Sequence, residues 1–374
     1  MSKGFFTLQP SAPSKGHTAA LCGLCGLHTG CLSPKMPPTG AGQRGLLLVA
    51  EAPGKTEDER NTQLVGDAGK RLRDHAENLG LEIDRDCWKT NAVICRPPKN
   101  RTPKPEEIDA CRPHLLAAIK ELKPKVIVLL GGTAVQSLLG PLWGSDVGPL
   151  DRWVGWQIPT EYGWVVPNYH PSFLLRVERP VLNLLFEQYL QRAIDITDTP
   201  CPPIEDLTSS IQVEVRPEVA AKVIRKIAAS SLAAGIPIAF DFETRSLKPE
   251  VKGTYIYSCS FSNGQRTIAF PWVGEAKEAA IEVLHGPNCF LNQNIQFEQR
   301  WCQLHAGGGV ENWCWDTMLA THVLDNRSDI CSLKFQAFVQ FGQRDYSKTV
   351  KPYMEEGRNG LNKLNEANLP TVLL

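Results

Sequence analysis

Residues 46–54 read Leu-Leu-Leu-Val-Ala-Glu-Ala-Pro-Gly. Five consecutive apolar residues closed by a Pro-Gly turn signal are the pattern of a strand buried on both faces. That strand runs straight into a loop carrying one carboxylate, Glu51. The pattern repeats outward. A helix is expected over 66–78 with Leu72 inward, and a second strand over 88–94. Residues 102–122 have helical spacing, with Ile108, Leu115, Leu116, Ile119 and Leu122 on one face, and Pro113 is expected to split them into two helices. Val126–Leu130 is a third buried strand, closed by Gly131-Gly132 and followed by a helix over 133–139. A fourth strand over 164–167 ends at Asn168-Tyr169-His170-Pro171, and a helix over 181–194 follows. Strands alternating with helices predict an α/β/α domain, a parallel sheet covered on both faces with its site at the strand C-terminal ends.

The domain is expected to span 21–196, after a disordered segment over 1–20 that is rich in Ser, Pro, Gly and Lys. Residues 197–212, rich in Pro, Ser and Asp at their start, read as a linker. A second α/β domain is expected over 213–374. In it a helix over 220–234 precedes a strand over 236–244 and paired strands over 254–262 and 266–271. A helix over 276–284, a short strand over 289–292 and helices over 294–305, 316–324 and 333–341 follow.

The chain has 374 residues, 42% hydrophobic and 21% charged, which excludes a mainly disordered protein. Forty basic and forty acidic residues cancel, so bulk charge neither predicts nor excludes a nucleic-acid partner. No apolar run approaches the roughly 20 residues of a membrane span. The N-terminus has no signal-peptide core. A bacterial or infected-host cytoplasmic location, without a membrane partner, is therefore expected. In a reducing compartment the twelve cysteines are not a disulfide framework. Seven of them sit singly and read as buried small hydrophobes. Cys22-x2-Cys25, in an expected N-terminal turn, has with Cys95 and Cys111 ligand-like spacing for a tetrahedral Zn or an iron–sulfur site.

Four segments sharpen this reading. Residues 91–111 (NAVICRPPKNRTPKPEEIDAC), Ala50-Glu51-Ala-Pro-Gly54, Val65-Gly66-Asp-Ala-Gly69 and Tyr169-His170-Pro-Ser-Phe-Leu-Leu-Arg176 resemble motifs of the family-4 uracil-DNA glycosylases. The resemblance covers roughly 22–194. It implies excision of uracil from DNA, with Cys22, Cys25, Cys95 and Cys111 holding a [4Fe–4S] cluster. Cys31 would substitute if Cys22 or Cys25 is not a ligand. The chemistry breaks an N-glycosidic bond after the base has left the stack. His170 is placed to stabilise charge growing on the uracil ring. Asn91 can read a carbonyl and an N–H together, which separates uracil from cytosine. Glu51 would position the attacking water. Ala52 and Gly54 would let backbone approach the nucleotide, with Ser172 and Arg176 on the DNA backbone. Arg96, Lys99, Arg101 and Lys104 form a candidate phosphate track. Leu64 stands where the family usually has a Phe that stacks on uracil, so weak activity, or a uracil- or DNA-binding module without turnover, is the alternative.

In the second domain Asp241 and Glu243, two apart on a strand, share one face, and Phe242 faces the other way. Two acids side by side call for a divalent cation. Asn294 and Glu298 are four apart on an expected helix. With residues 315–325, this order resembles the 3′–5′ exonuclease domain of family A DNA polymerases, a DEDD nuclease with a ribonuclease H-like fold. The resemblance implies Asp241, Glu243 and Glu298 as ligands of Mg2+ or Mn2+, and Asn294 beside the substrate, a single-stranded 3′ end. Asp316 matches a recurrent position but is equally explained as a helix N-cap. The family's fourth carboxylate, from a Tyr-x3-Asp motif, is expected after a segment like residues 365–374. The chain is therefore expected to be truncated, to lack a C-terminal polymerase domain, and to have impaired exonuclease activity. Such a fusion resembles arrangements in bacteriophage replication genes.

Overall fold

The computed structural model describes residues 18–177, 179–345, 349–355, 357 and 360–373. The expected disorder over 1–20 thus lies almost wholly outside the described residues. The chain divides into two compact units, Met1–Pro203 and Ile204–Leu374.

The first unit holds five strands: β1 (Leu46–Ala50), β2 (Cys87–Asn91), β3 (Val126–Leu130), β4 (Ile158–Thr160) and β5 (Gly163–Asn168). Their order is β2-β1-β3-β5-β4, parallel except for β4 against β5. β1 and β3 are buried at every position, as expected for strands covered on both faces. The chain leaves β1 toward β2 on one side and returns to β3 on the other. That reversal makes the C-terminal end of β1 a switch point, where open α/β sheets place ligands.

The helices are α1 (Thr18–Cys25), α2 (Lys55–Arg60), α3 (Asp67–Asn78), α4 (Ile83–Asp86), α5 (Pro105–Leu122), α6 (Gly132–Trp143), α7 (Pro171–Arg176) and α8 (Pro180–Asp195). A core of Leu46, Leu48, Leu72, Val126, Val128, Val166, Phe186 and Leu190 joins sheet to helices. Several expectations are corrected. Cys22 and Cys25 lie on a helix rather than a turn. β2 ends at Asn91, three residues early. α5 is continuous through Pro113. The carbonyl that this proline leaves without an N–H belongs to Asp109, an exposed residue, so water can satisfy it.

The second unit contains β6 (Ile211–Val213), α9 (Pro217–Ala234), β7 (Ile238–Thr244), β8 (Ile256–Ser262), β9 (Thr267–Pro271), α10 (Gly274–Leu284), β10 (Phe290–Asn292), α11 (Ile295–His305), β11 (Trp313–Asp316), α12 (Thr317–Leu324) and α13 (Leu333–Phe341), then α14 (Lys351–Met354) and α15 (Leu369–Leu373). The sheet order is β11-β10-β7-β8-β9-β6. β7, β8 and β9 form an antiparallel meander, while β10 and β11 continue parallel from β7. The sheet is mixed, as the expected ribonuclease H-like fold requires. The last residues of the expected linker instead form β6, paired with β9. Asn294 precedes α11 with φ 62°, so it does not share a helix face with Glu298 as the spacing suggested. Asp316 ends β11 and caps α12 rather than lying inside a helix.

Among the described residues no helix is long and apolar enough to cross a membrane.

Candidate functional site

The first site is built along one sheet edge. Asn91 ends β2 and pairs in register with Ala50, the last residue of β1, so Glu51 is the next residue out. Gly131 follows β3 and donates its N–H to Asn168 O at the end of β5, 2.9 Å. His170 comes two residues later. Glu51, Asn91, Gly131 and His170 therefore lie at the C-terminal ends of four adjacent strands. Three strand spacings, roughly 14 Å of backbone, separate β2 from β5.

Each polar group has a defined state. Glu51 Oε2 accepts from Thr133 Oγ1 at 2.8 Å, while its other oxygen has no partner among the described residues. Asn91 is buried and donates through Nδ2 to Gln63 Oε1. His170 caps α7, and its Nδ1 accepts from Ser172 N at 3.2 Å. Nδ1 therefore carries no proton. Ser172 Oγ donates to it at 2.8 Å and itself accepts from Arg176 at 3.2 Å. Desolvation, with the Arg176 charge beside it, pushes the His170 pKa down to about 4. The ring is thus neutral at pH 7 with its proton on Nε2, a donor with no partner among the described residues. Gly131 makes this approach possible. Its φ is 95°, and a Cβ there would stand 3.0 Å from that of His170.

The loops around this edge are tied by Glu57, which sequence reasoning missed. Its carboxylate accepts from Gly54 N (3.2 Å), Val65 N (2.9 Å) and Gly66 N (2.6 Å), joining the loop after β1 to the loop before α3. Gln63 and Thr133 were missed as well. A capping-box spacing from Gly54 to Glu57 was the one available signal. Leu64 is buried in the core, with φ 52°, and a Cβ on Gly69 would fall 1.9 Å from its carbonyl oxygen. Ala52 packs against the cysteine cluster.

In that cluster Cys95 and Cys111 are buried with Leu27, Val93, Ile94 and Ile108, and Cys25 and Cys31 pack against them. Cys95 Sγ accepts from Lys35 N at 3.2 Å, and Cys111 Sγ from Ile94 N at 3.3 Å. Cys22 Sγ meets His114 Nε2 at 3.1 Å. Burial pushes the Cys95 thiol up to about 11 and Cys111 to about 12, each raised further by neighbouring cysteines. Among the described residues no three His, Cys, Asp or Glu side chains converge on the position of a single metal ion. The donor set suits a multi-iron group instead. Such a group spaces its sulfurs over several metals and welcomes thiolates held by backbone N–H groups.

The expected phosphate track is reduced. Arg101 is held by Glu107 at 2.5 and 2.8 Å, and Arg96 by Asn100 at 2.7 Å. Lys99 and Lys104 remain exposed.

In the second unit β7 alternates as the spacing required. Phe240 and Phe242 are buried, while Asp241 and Glu243 lie on the opposite face. Glu298, in the first turn of α11, is buried and hydrogen-bonds with Asp241, and its Oε2 has no partner among the described residues. Asp241 keeps a solvent-facing surface on a densely packed floor. Desolvation, and then the Asp241 charge, push Glu298 far above the carboxylate range; desolvation raises Asp241 too. The proton of the pair therefore sits on Glu298 and is shared with Asp241. Desolvation first, and the Asp241 charge second, raise Glu243 to about 7, against the opposing Lys334 charge. The three carboxylates, raised first by burial and two of them further by the Asp241 charge, are short of positive charge, the chemistry a divalent cation would relieve, although as they stand they do not converge on one ion position. Asp316 has a different task. It accepts from Asn294 N (3.2 Å), Ile295 N (3.0 Å), Met318 N (2.9 Å) and Leu319 N (3.1 Å), capping α11 and α12 at once.

Comparison with known proteins finds relatives of the first unit and of most of the chain. Residues 37–194 match the family model of the uracil DNA glycosylase superfamily. A type-4 uracil-DNA glycosylase of Pyrobaculum aerophilum is 41% identical over 178 residues, 45% of this chain and 86% of that protein. A DNA polymerase of Bacillus phage SP01 is 22% identical over 328 residues, 79% of this chain but 34% of that protein. Escherichia coli RNase D, an exoribonuclease, superposes at a TM-score of 0.30 with 11% identity, over 38% of this chain and 36% of that one. Through the residues of its first unit, the chain belongs to the type-4 uracil-DNA glycosylases.

Proposed function

We propose that the first unit hydrolyses the N-glycosidic bond of deoxyuridine in DNA. A neutral His170 whose Nε2–H has no partner among the described residues at the sheet edge is the observation that carries this reading. A flipped uracil would lie between Asn91 and His170. Asn91 reads the O4 and N3–H edge. As the N1–C1′ bond breaks, its electrons move onto the ring, and His170 donates to the oxygen that gains charge. Glu51, held by Thr133, orients the water that adds to C1′. Ala52 and Gly54 let the backbone approach, and Leu64 shapes the loop behind. Arg176 orients Ser172, which orients His170, and both also remain available to a DNA phosphate. Cys22, Cys25, Cys95 and Cys111 would hold a [4Fe–4S] cluster, which supplies a structural tie between α1 and the loop after β2. Cys31, hydrogen-bonded to Cys95, is the substitute ligand.

The second unit is proposed as a metal-dependent 3′–5′ exonuclease domain acting on a single-stranded 3′ end. Mg2+ or Mn2+ bound by Asp241, Glu243 and Glu298 would activate water and neutralise the phosphodiester. Asn294 would lie beside the substrate. Similarity to a phage polymerase supports a role beside DNA synthesis. Incubating the chain with a single-uracil oligonucleotide, then alkali, tests the main reading: cleavage at the uracil is expected, with loss in His170→Ala. Binding without cleavage would favour a uracil-binding module without turnover, the reading to which buried, non-aromatic Leu64 points.

A further inference from the structure

We infer that Gln63 is a positioning residue that sets which way the Asn91 carboxamide faces, and so determines discrimination of uracil from cytosine. This rests on the proposed role of Asn91. Gln63 is fully buried. Its Nε2 donates to two backbone carbonyls, Met36 O at 3.4 Å and Pro37 O at 3.3 Å. Turning the Gln63 amide over would set its oxygen against those two carbonyl oxygens. Gln63 can therefore present only Oε1 to the interior, and Oε1 meets Asn91 Nδ2. Asn91, itself 2% exposed, is obliged in turn to face Gln63 with its NH2.

The consequence follows from counting donors and acceptors. Asn91 retains one Nδ2 proton and Oδ1 for a base. Uracil offers an acceptor at O4 beside a donor at N3, which match those two atoms in one orientation of the amide. Cytosine offers a donor at N4 beside an acceptor at N3, which match the opposite orientation. A flipped Asn91 would place its oxygen toward Gln63 Oε1, two acceptors facing each other in a buried site. Gln63 thus penalises the one amide state that would admit cytosine, without touching the base itself.

The test uses the full chain with Gln63→Met, close in shape but without the hydrogen bonds, and Gln63→Glu, which keeps an acceptor for Asn91. Excision is measured on matched oligonucleotides containing one uracil or one unpaired cytosine. The expected result for Gln63→Met is a rise of about tenfold or more in the cytosine-to-uracil ratio of kcat/KM, while Gln63→Glu stays near the parent ratio. A merely structural role would lower both activities and leave the ratio unchanged, and that result would overturn the inference. A second readout does not need turnover. The Asn91 side-chain NH2, assigned by its loss in Asn91→Asp, should give two distinct, slowly exchanging NMR signals in the parent. They should exchange fast with solvent in Gln63→Met. Fast exchange already in the parent would refute the inference even if Gln63→Met fails to fold. If the parent excises no uracil but its Asn91 NH2 is protected, the glycosylase reading fails while the positioning by Gln63 stands.

Discussion

Lowering the pH from 8 to 5.5 should leave uracil excision almost unchanged. His170 Nδ1 is an acceptor from Ser172 N, and its pKa lies at about 4 because the ring is desolvated beside Arg176. At pH 5.5 an ordinary imidazole of pKa about 6.5 would be about nine-tenths protonated, whereas one at about 4 is about 3% protonated. Protonating Nδ1 would also break its bond to the Ser172 N–H. The assay is single-turnover excision from a single-uracil oligonucleotide across pH 4 to 8, in the parent and in His170→Ala. The variant should lose about 10²- to 10³-fold, the usual cost of one preorganised donor. Stability should follow the same group. Its folded pKa is depressed, so the stabilisation is complete above about 6.5 and is lost as the pH falls through about 4. A parent rate that falls with an inflection near pH 6.5, absent from His170→Ala, would refute the neutral-donor assignment.

Glu57→Ala strips three backbone N–H groups of one carboxylate. It should destabilise the first unit by about 3 kcal/mol in urea denaturation and lower excision, and a change below about 1 kcal/mol would show that water replaces it. In metal-free buffer the second unit should melt at lower temperature as the pH rises from about 5 past 7. Its raised carboxylates stabilise the fold only while protonated. Mn2+ should flatten that slope in differential scanning fluorimetry, and Glu298→Gln should remove most of it. Anaerobically purified chain should carry about four irons with visible absorbance, and Cys111→Ala should lose both; colourless, zinc-loaded protein would reject the cluster.

Local pattern went furthest where a segment's environment is simple. Leu46–Ala50, Val126–Leu130 and Leu333–Phe341 match their expected bounds because continuous apolar runs or a clean helical period suffice to define them. The three-residue strand β4 and the four-residue β11 were invisible, since so few residues carry no period and form only against a partner. Pro113 misled because a helix break depends on whether the freed carbonyl meets water, which sequence does not state.

From the order of residues alone came the alternation of strands and helices, the two-domain division into α/β parts, and the chemical character of Asn91, His170, the four cysteines and the Asp241–Glu243 pair. Those features are local, or are fixed by spacing along one element. The working state of the site came only with tertiary structure. Gln63 and Asn91 are 28 residues apart, and Glu51 and Thr133 are 82 apart. Which atom of an amide faces a base, which nitrogen of an imidazole keeps its proton, and whether Asp316 binds metal or caps two helices are all decided by partners brought in from distant segments. A hydrogen bond needs its donor and acceptor within about 3 Å, and only the folded chain sets that distance.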